Sequence, residues 1–477
     1  MSGERIIANG VNGLTGEYLL PPLDPADVAA RAKQPPDDPA VAAQLRQLHA
    51  MAEQSFGESF GVPFHVDPSK VEQAGWAVVF STEASNDVKA ALEQLIEHRR
   101  RWIGDARTKV LDHRPGEGWT AWLARHGTAP GNINPEKVPY YLLLIGGPNQ
   151  IPFSLQYLLN TEYAVGRLDF DDADGYRGYV AGLIDYEDAS TAPHDAAAIF
   201  FGTRHPFDGA TQLSADSLVR PLIRSFQQGG RFASAVSGYQ FDQVLGEPAT
   251  KARLCEIFSG SGRSGRPALF FSASHGMGGW PSGHIDQRAR HGALLCQDWP
   301  GIGQIGQAHY LSASDVPEDA RVHGLIAFFF ACFGAGTPQR DAFAHIPGEP
   351  PPELAPEPFV SALPKRLLSH PEGGALAVIG HIDRAWGYSF VSGGESQLLP
   401  FQNALGRILL GQPVGYAMKD FNEKYAALSA NLASLLEELS YNDRPILEAG
   451  LARVWTERND AQNYVVLGDP AASLKTA

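Results

Sequence analysis

The feature that most constrains the fold of this chain is a series of short, mostly apolar runs that alternate with helical patterns. A strand buried on both faces is apolar along most of its length, so such runs indicate a parallel sheet covered by helices on both sides. The runs are WAVVF (76–80), YYLLLIGGPNQIP (140–152), VGRL (165–168), AAAIFFG (196–202), ALFFSAS (268–274), GLIAFFFA (324–331), GALAVIG (374–380) and YVVLG (464–468). The sequence therefore predicts an α/β fold with mainly parallel sheets flanked by helices.

The order of these runs predicts two α/β subdomains between two terminal segments. Residues 1–70 read as an irregular N-terminal lead-in that contains a short helical pattern around Val41–Glu53. Residues 71–190 form the first α/β subdomain, and residues 195–390 form the second, after the polar linker EDASTAPHD (187–195). Residues 391–477 are expected to be a helical C-terminal extension that ends in a closing strand.

The charge and the N-terminal sequence restrict the expected partners and location. The chain has 38 Lys and Arg residues against 53 Asp and Glu, a formal net charge of −15. Such a surface repels nucleic acid and anionic membranes, so we expect neither as a partner. The N-terminal stretch MSGERIIANGVNGLTGEYLL has no apolar signal region, and no window approaches the ~18 apolar residues of a membrane span. We therefore expect a cytoplasmic protein.

The cysteines and the common motifs give no indication of a metal or a cofactor, and we expect neither. Cys255, Cys296 and Cys332 cannot all pair and none lies in a CxxC, which argues against a disulfide framework or a structural zinc site. GSGRSG (260–265) matches a dinucleotide-binding pattern, but it precedes a strand instead of following one, so we interpret it as a loop. GxxxxGK[ST], HExxH and GxSxG do not occur.

The candidate catalytic residues follow the ends of two predicted strands. The strand ALFFSAS is followed at once by His275 and Gly276, and the strand GLIAFFFA is followed by Cys332 and a glycine-rich turn. The carboxyl ends of parallel strands meet at one edge of a sheet, so neighbouring strands would bring His275 and Cys332 together. An imidazole beside a thiol is the arrangement that activates a cysteine nucleophile.

The small residues beside this pair have a physical reason of their own. Gly276 lets the backbone approach a substrate carbonyl, and its N–H could form an oxyanion hole with that of Cys332. The turn Gly334-Ala335-Gly336 is expected to keep the thiol uncovered. The alternative is that Cys332 is an inert core residue, as strand-end cysteines often are. Cys255 and Cys296 lack this setting and are expected to be structural.

The order His-Gly after one strand and Ala-Cys after the next resembles the caspase-like cysteine peptidases, a group that includes caspases, gingipains, clostripain, separase and the CHAT-domain proteases. The chain is most similar to the gingipain branch. The segments that carry this resemblance are LLLIGGPNQIP (142–152) with YAVGRL (163–168), GALAVIGHIDRAWGYSF (374–390) and NYVVLGDPAASL (463–474). They cover about 140–390 and the last dozen residues.

The resemblance implies a thiol protease in which residues 195–390 are the catalytic subdomain. Cys332 and His275 would be the dyad, Gly276 an oxyanion contributor, and Trp386 part of the pocket for the residue before the scissile bond. Two departures stand out. The chain lacks the secretion signal of gingipains, and the spacing from His275 to Cys332 suggests an insertion near 280–315.

The gingipain resemblance also implies cleavage after Arg or Lys, because a basic side chain needs a carboxylate in its pocket. The first candidate for this carboxylate is Asp208, in the loop after AAAIFFG, and the second is Asp383. Either could instead be a solvated loop residue.

The segment 337–358 begins just after the nucleophile turn and ends in dense proline, so we expect an exposed loop that gates the site. Cleavage near Arg340 would be a means of proteolytic activation, and an ordinary surface linker is the alternative.

The expected function is cleavage of cytosolic protein in a regulatory or defence role, such as a step in a proteolytic cascade. An upstream protease or a sensor protein would control it. The alternatives are a catalytically silent scaffold that binds a protein partner, and a transpeptidase or amidase that uses the same dyad.

Overall fold

The computed structural model describes residues 6–34, 62–343, 350–441 and 448–476. The predicted helical pattern around Val41–Glu53 lies outside these ranges. So does part of the predicted gating loop, since residues 344–349 are not described.

A single sheet of ten strands forms the centre of the molecule. In chain order the strands are β1 (Trp76–Ser81), β2 (Thr108–His113), β3 (Tyr141–Ile145), β4 (Ala164–Leu168), β5 (Asp195–Gly202), β6 (Gln240–Leu245), β7 (Pro267–Ala273), β8 (Ile326–Phe330), β9 (Ala377–His381) and β10 (Tyr464–Gly468). Their order across the sheet is β2-β1-β3-β4-β10-β9-β8-β7-β5-β6. The α/β class predicted from the apolar runs is confirmed.

The sheet consists of two parallel halves that meet at its middle. β1 to β4 are parallel to one another and to β10, and β5 to β9 are parallel to one another. Within this ten-stranded sheet, the antiparallel pairing is that of β9 with β10. The closing strand therefore lies between the two expected subdomains and joins them into one sheet.

Helices pack on both faces of the sheet, as expected for apolar strands. The α-helices are Pro25–Ala32, Val71–Ala74, Asn86–Ala91, Glu93–Ile103, Trp119–Arg125, Phe153–Leu159, Ala173–Asp188, Gly209–Ser214, Arg220–Gln227, Lys251–Phe258, Gln287–Arg290, Ala362–Leu368, Leu399–Leu409, Val414–Ala417, Lys419–Tyr441 and Glu448–Gln462. A π-helical turn, Ala215–Val219, precedes Arg220–Gln227. Within the described part of the chain, no helix is both long enough and apolar enough to cross a bilayer.

The parallel half that contains β5, β7, β8 and β9 gathers several loops at one edge. The register aligns Gly202 of β5 with Ala273 of β7, and Ala273 with Phe330 of β8, at the carboxyl ends of these strands. The loops that follow all four strands therefore emerge side by side. This edge holds the candidate site.

Candidate active site

His275 and Cys332 each lie two residues beyond a strand end at this edge. β7 ends at Ala273 and β8 ends at Phe330, and these two residues are partners in the parallel ladder. Both candidate side chains are fully buried. The two candidate residues, His275 and Cys332, therefore lie at the same edge of the sheet, as their positions after two predicted strands indicated.

The thiol of Cys332 is held in a tight turn. Phe333, the next residue, has φ +56°, which is the only positive φ of a non-glycine residue in the described chain. Residues other than glycine rarely adopt this conformation, and it is found at sites where the surrounding structure enforces it. The Phe333 N–H is fixed in place by the Asp383 carbonyl, at 2.8 Å.

The thiol is covered, which differs from the expectation that the turn Gly334-Ala335-Gly336 leaves it open. The Cys332 thiol donates a hydrogen bond to the backbone carbonyl of Asn9, and the Ala385 N–H lies 3.2 Å from Sγ. Burial raises the pKa of the Cys332 thiol to about 12. The cover comes from the N-terminal lead-in, which lies directly over the site.

His275 has a partner on each ring nitrogen. Its Nδ1 accepts the Gly10 N–H at 2.8 Å, and its Nε2 lies 2.6 Å from Asp208 Oδ2. Since an N–H can only donate, Nδ1 is the unprotonated nitrogen, and Nε2 carries the proton that is donated to Asp208. In this arrangement the imidazole is neutral, and the lone pair of Nδ1 accepts the Gly10 amide hydrogen.

Asp208 is therefore a partner of His275 in this structure and does not line an open pocket. Its carboxylate also accepts the Tyr18 hydroxyl and the Ala210 N–H, which caps the helix Gly209–Ser214. Burial alone would raise the pKa of Asp208, but the pairing with His275 and the hydrogen bond from Tyr18 hold it well below its usual range. The role expected for Asp208, a carboxylate for basic side chains, gives way to this pairing because its oxygens are already occupied.

Asp383, the second candidate for a pocket carboxylate, is also engaged. It is buried and paired with Arg384, whose Nη1 lies 3.0 Å from Asp383 Oδ1 and whose Nη2 lies 2.7 Å from Asp341 Oδ2. Burial raises the pKa of Asp383 to about 6. This ion-pair cluster packs behind the nucleophile turn, with the Arg384 guanidinium over the Phe333 ring.

Gly276 lies against the backbone of Cys332. An added Cβ at Gly276 would come within 1.8 Å of the Cys332 carbonyl oxygen, so only glycine fits.

The other two candidate residues, Trp386 and Arg340, lie in different surroundings. Trp386 is fully buried, the centroid of its ring lies 4.8 Å from that of Phe343, and its backbone pairs with Ala8. Arg340 is exposed, outside the site, and donates to the Pro351 carbonyl at 3.2 Å.

A small cavity of about 50 Å³ lies beside Asn9. It is lined by Ile7, Asn9, Gly209, Ala210, Leu213, Phe330, Gly387 and Phe390. No carboxylate occurs among these lining residues.

The residues that sequence reasoning missed are Asn9, Gly10 and Tyr18, which all belong to the N-terminal lead-in. The one available signal was the Asn-Gly dipeptide, a turn-forming pair within an otherwise apolar stretch, IIANGVNG. The arrangement contains the parts that thiol-based acyl transfer requires, namely a thiol, a neutral imidazole, a carboxylate that orients it, and a peptide bond between them.

No protein-family model matches the chain, and the search of curated proteins gives no match. Among solved structures the chain is similar to gingipain R, an Arg-specific cysteine proteinase, with 12% identity, a TM-score of 0.46 and coverage of 86% of this chain and 80% of that one. It is similar to a second protease with 14% identity, a TM-score of 0.48 and coverage of 87% and 81%. The third is separase of Saccharomyces cerevisiae, in its complex with securin, with 11% identity, a TM-score of 0.31 and coverage of 69% of this chain and 15% of that one. Each of these likenesses is one of fold alone.

Proposed function

We propose that this chain is a cysteine endopeptidase in which Cys332 is the nucleophile, His275 the acid and base, and Asp208 the residue that positions His275. The observation that carries the proposal is that Cys332 and His275 contact opposite ends of the same peptide bond. The Asn9 carbonyl oxygen accepts a hydrogen bond from the Cys332 thiol. On the other side of the same peptide bond, the Gly10 N–H donates a hydrogen bond to His275 Nδ1 at 2.8 Å.

The chemistry follows from these positions. His275 Nδ1 accepts the thiol proton of Cys332 as Sγ attacks a substrate carbonyl carbon, and then donates that proton to the departing amine nitrogen. A water molecule hydrolyses the resulting thioester and restores the thiol. Asp208 accepts a hydrogen bond from Nε2–H throughout, which keeps Nδ1 directed at the reacting atoms. Gly276 and Cys332 supply backbone N–H groups as the proposed oxyanion hole.

The pocket supports a short residue before the scissile bond. The cavity beside Asn9 is small and its lining residues include no carboxylate, while Asp208 and Asp383 are held by His275 and Arg384. Cleavage after Arg or Lys, which the sequence resemblance implied, would require one of these carboxylates to change partners. We therefore propose cleavage after Asn or another short residue, and retain the basic preference as the alternative for the same assay.

The proposed role is regulatory or defensive cleavage of cytosolic protein, under the control of an upstream protease or a sensor protein. Processing near Arg340 remains part of this proposal, because its side chain is exposed. A silent scaffold and a transpeptidase or amidase remain as alternatives on the same fold.

A peptide-library digestion with purified wild-type protein and with Cys332→Ala tests the proposal. We expect cleavage after short polar residues by the wild type and none by the variant. Added amine nucleophile should leave hydrolysis dominant, whereas capture of the acyl group by the amine would indicate a transpeptidase. A scaffold predicts no cleavage by either protein. Cys255→Ser is the matched control, since Cys255 lies outside the site and is partly exposed.

A further inference from the structure

The N-terminal segment lies across the site as an extended polypeptide. Before the Asn9–Gly10 bond, the Asn9 N–H donates to the Ala385 carbonyl at 3.0 Å, and Ala8 forms an antiparallel bridge with Trp386. Main-chain pairing along an exposed edge is a common way to bind an extended peptide. The residues before Gly10 are therefore held as a bound peptide would be held.

The chain is held on the other side of the same bond as well. Val11–Asn12 run parallel to Met277–Gly278, and the Gly13 N–H donates to the Gly278 carbonyl at 2.9 Å. Tyr18 then reaches Asp208 with its hydroxyl and packs edge-on against the His275 ring, with 5.7 Å between ring centroids. One peptide bond is thus fixed from both directions, above the thiol and the imidazole.

We propose that the Asn9–Gly10 bond is a self-cleavage site, cut by Cys332 and His275 of the same chain. This inference rests on the proposed peptidase function and names its first substrate. The bond between Cys332 Sγ and the Asn9 carbonyl carbon forms, and the bond from that carbon to the Gly10 nitrogen breaks. The thiol proton passes through His275 Nδ1 to the Gly10 amine. Water then hydrolyses the thioester, leaving a carboxyl group on Asn9 and a thiol on Cys332.

Glycine is required on the leaving side of this bond. Gly10 has φ +112°, and an added Cβ would lie 2.8 Å from Cys332 Sγ and 2.7 Å from Leu19 Cδ1. Any other residue would be strained in this conformation and would push the bond away from the thiol. The close approach of backbone to nucleophile therefore depends on the identity of Gly10.

Cleavage would free the edge that another polypeptide needs. The backbones of Ala385 and Trp386 are already paired with those of Asn9 and Ala8. Ile6 is buried in the same apolar cluster as Trp386. While this segment is attached, no second peptide can pair there. Departure of the segment that precedes Gly10 would open the site, so self-cleavage would serve as activation.

The test is N-terminal sequencing and intact-mass measurement of the full chain over time, for the wild type and for Cys332→Ala. The second Asn-Gly pair, Asn12–Gly13, is an internal control. Its carbonyl accepts the Gly16 N–H at 2.8 Å within a turn and has no contact with the thiol in the described structure. We expect a new N-terminus at Gly10 in the wild type only, an intact Asn12–Gly13 bond, and a first-order rate that does not depend on protein concentration.

Other outcomes overturn the inference in distinguishable ways. A wild-type chain that remains intact but cuts library peptides refutes self-cleavage and leaves the peptidase proposal standing. Scission of both Asn-Gly bonds in Cys332→Ala would show spontaneous chemistry. Equal cleavage of a tagged Cys332→Ala chain by added wild type would show that the bond is cut between molecules. A chain that cuts neither itself nor peptides fails both proposals.

Discussion

Asp208 Oδ2 and His275 Nε2 lie 2.6 Å apart in a fully buried contact, while the other oxygen of Asp208 accepts the Tyr18 hydroxyl. This contact fixes the tautomer of His275, because the ring must donate from Nε2 and is left with a base at Nδ1. Asp208 therefore lies beside the two candidate residues, His275 and Cys332, as the partner that orients the imidazole.

Replacing Asp208 by Asn should lower kcat by about 10²–10⁴-fold with little change in KM, because the amide favours the wrong tautomer of His275. Asn is chosen because it preserves the helix cap at Ala210. Steady-state kinetics on a library-derived peptide measures the effect. If Asp208 instead binds a basic side chain, the substitution raises KM for Arg peptides alone and leaves kcat nearly unchanged.

The buried thiol should react slowly with iodoacetamide at neutral pH. With a pKa of about 12, Cys332 is ionised to only about one part in 10⁴ at pH 8, and its thiolate fraction rises tenfold per pH unit below the pKa. Alkylation of Cys332 in Cys-resolved mass spectrometry should therefore accelerate as the pH rises. Gly10→Val, which displaces the covering segment, should accelerate it at pH 8. Alkylation of the intact chain at pH 7 as fast as that of the unfolded chain contradicts this view of the site.

Substitutions of Asn9 distinguish a short-residue pocket from a basic one. Asn9→Ser should still be processed at the following bond, because serine is smaller than the asparagine that lines the cavity of about 50 Å³. Asn9→Arg should be processed at least about tenfold more slowly, since a longer charged side chain would enter a space without a carboxylate. Band intensities on a denaturing gel, followed over time, report both rates. Faster processing of Asn9→Arg would restore the preference for basic residues.

Arg384 should be important for stability, because it neutralises two buried carboxylates behind the nucleophile turn. Arg384→Met leaves Asp341 and Asp383 without their shared cation, which should cost about 3–5 kcal/mol in the free energy of unfolding. Arg177→Met, which removes an exposed helical pair with Asp174, is the matched control and should cost less than ~1 kcal/mol. Urea titration gives both values, and equal losses would contradict the buried cluster.

The apolar runs predicted most of the sheet because a strand buried on both faces shows its burial in its composition. The predicted strand 76–80 corresponds to Trp76–Ser81, and 464–468 is reproduced at both ends. The two outermost strands, Thr108–His113 and Gln240–Leu245, were missed because edge strands are partly solvated and carry polar residues. The pattern also could not indicate that Tyr464–Gly468 lies in the middle of the sheet, since sheet order depends on contacts between distant residues.

The candidate dyad could be predicted because strand termini are local features. The positions of His275 and Cys332 follow from where two runs end and from the parallel order of their strands. The partner of His275 was harder to assign. From the sequence alone, the Asp208 carboxylate could either line a pocket for a basic side chain or pair with an imidazole. Asn9 and Gly10 precede Cys332 by more than three hundred residues, and no periodicity connects them to it.

Covalent labelling of the thiol tests whether Cys332 is a nucleophile that His275 activates. The probe is a peptide Ile-Ala-Asn that ends in a thiol-reactive ketone. It is added to the Gly10→Val protein, in which the added side chain is expected to displace the N-terminal segment from the site. Peptide mapping by mass spectrometry identifies the labelled cysteine. We expect one adduct, on Cys332, and we expect it to disappear in a second protein that also carries His275→Ala. Labelling that is confined to Cys255, or labelling of Cys332 that does not depend on His275, would contradict it.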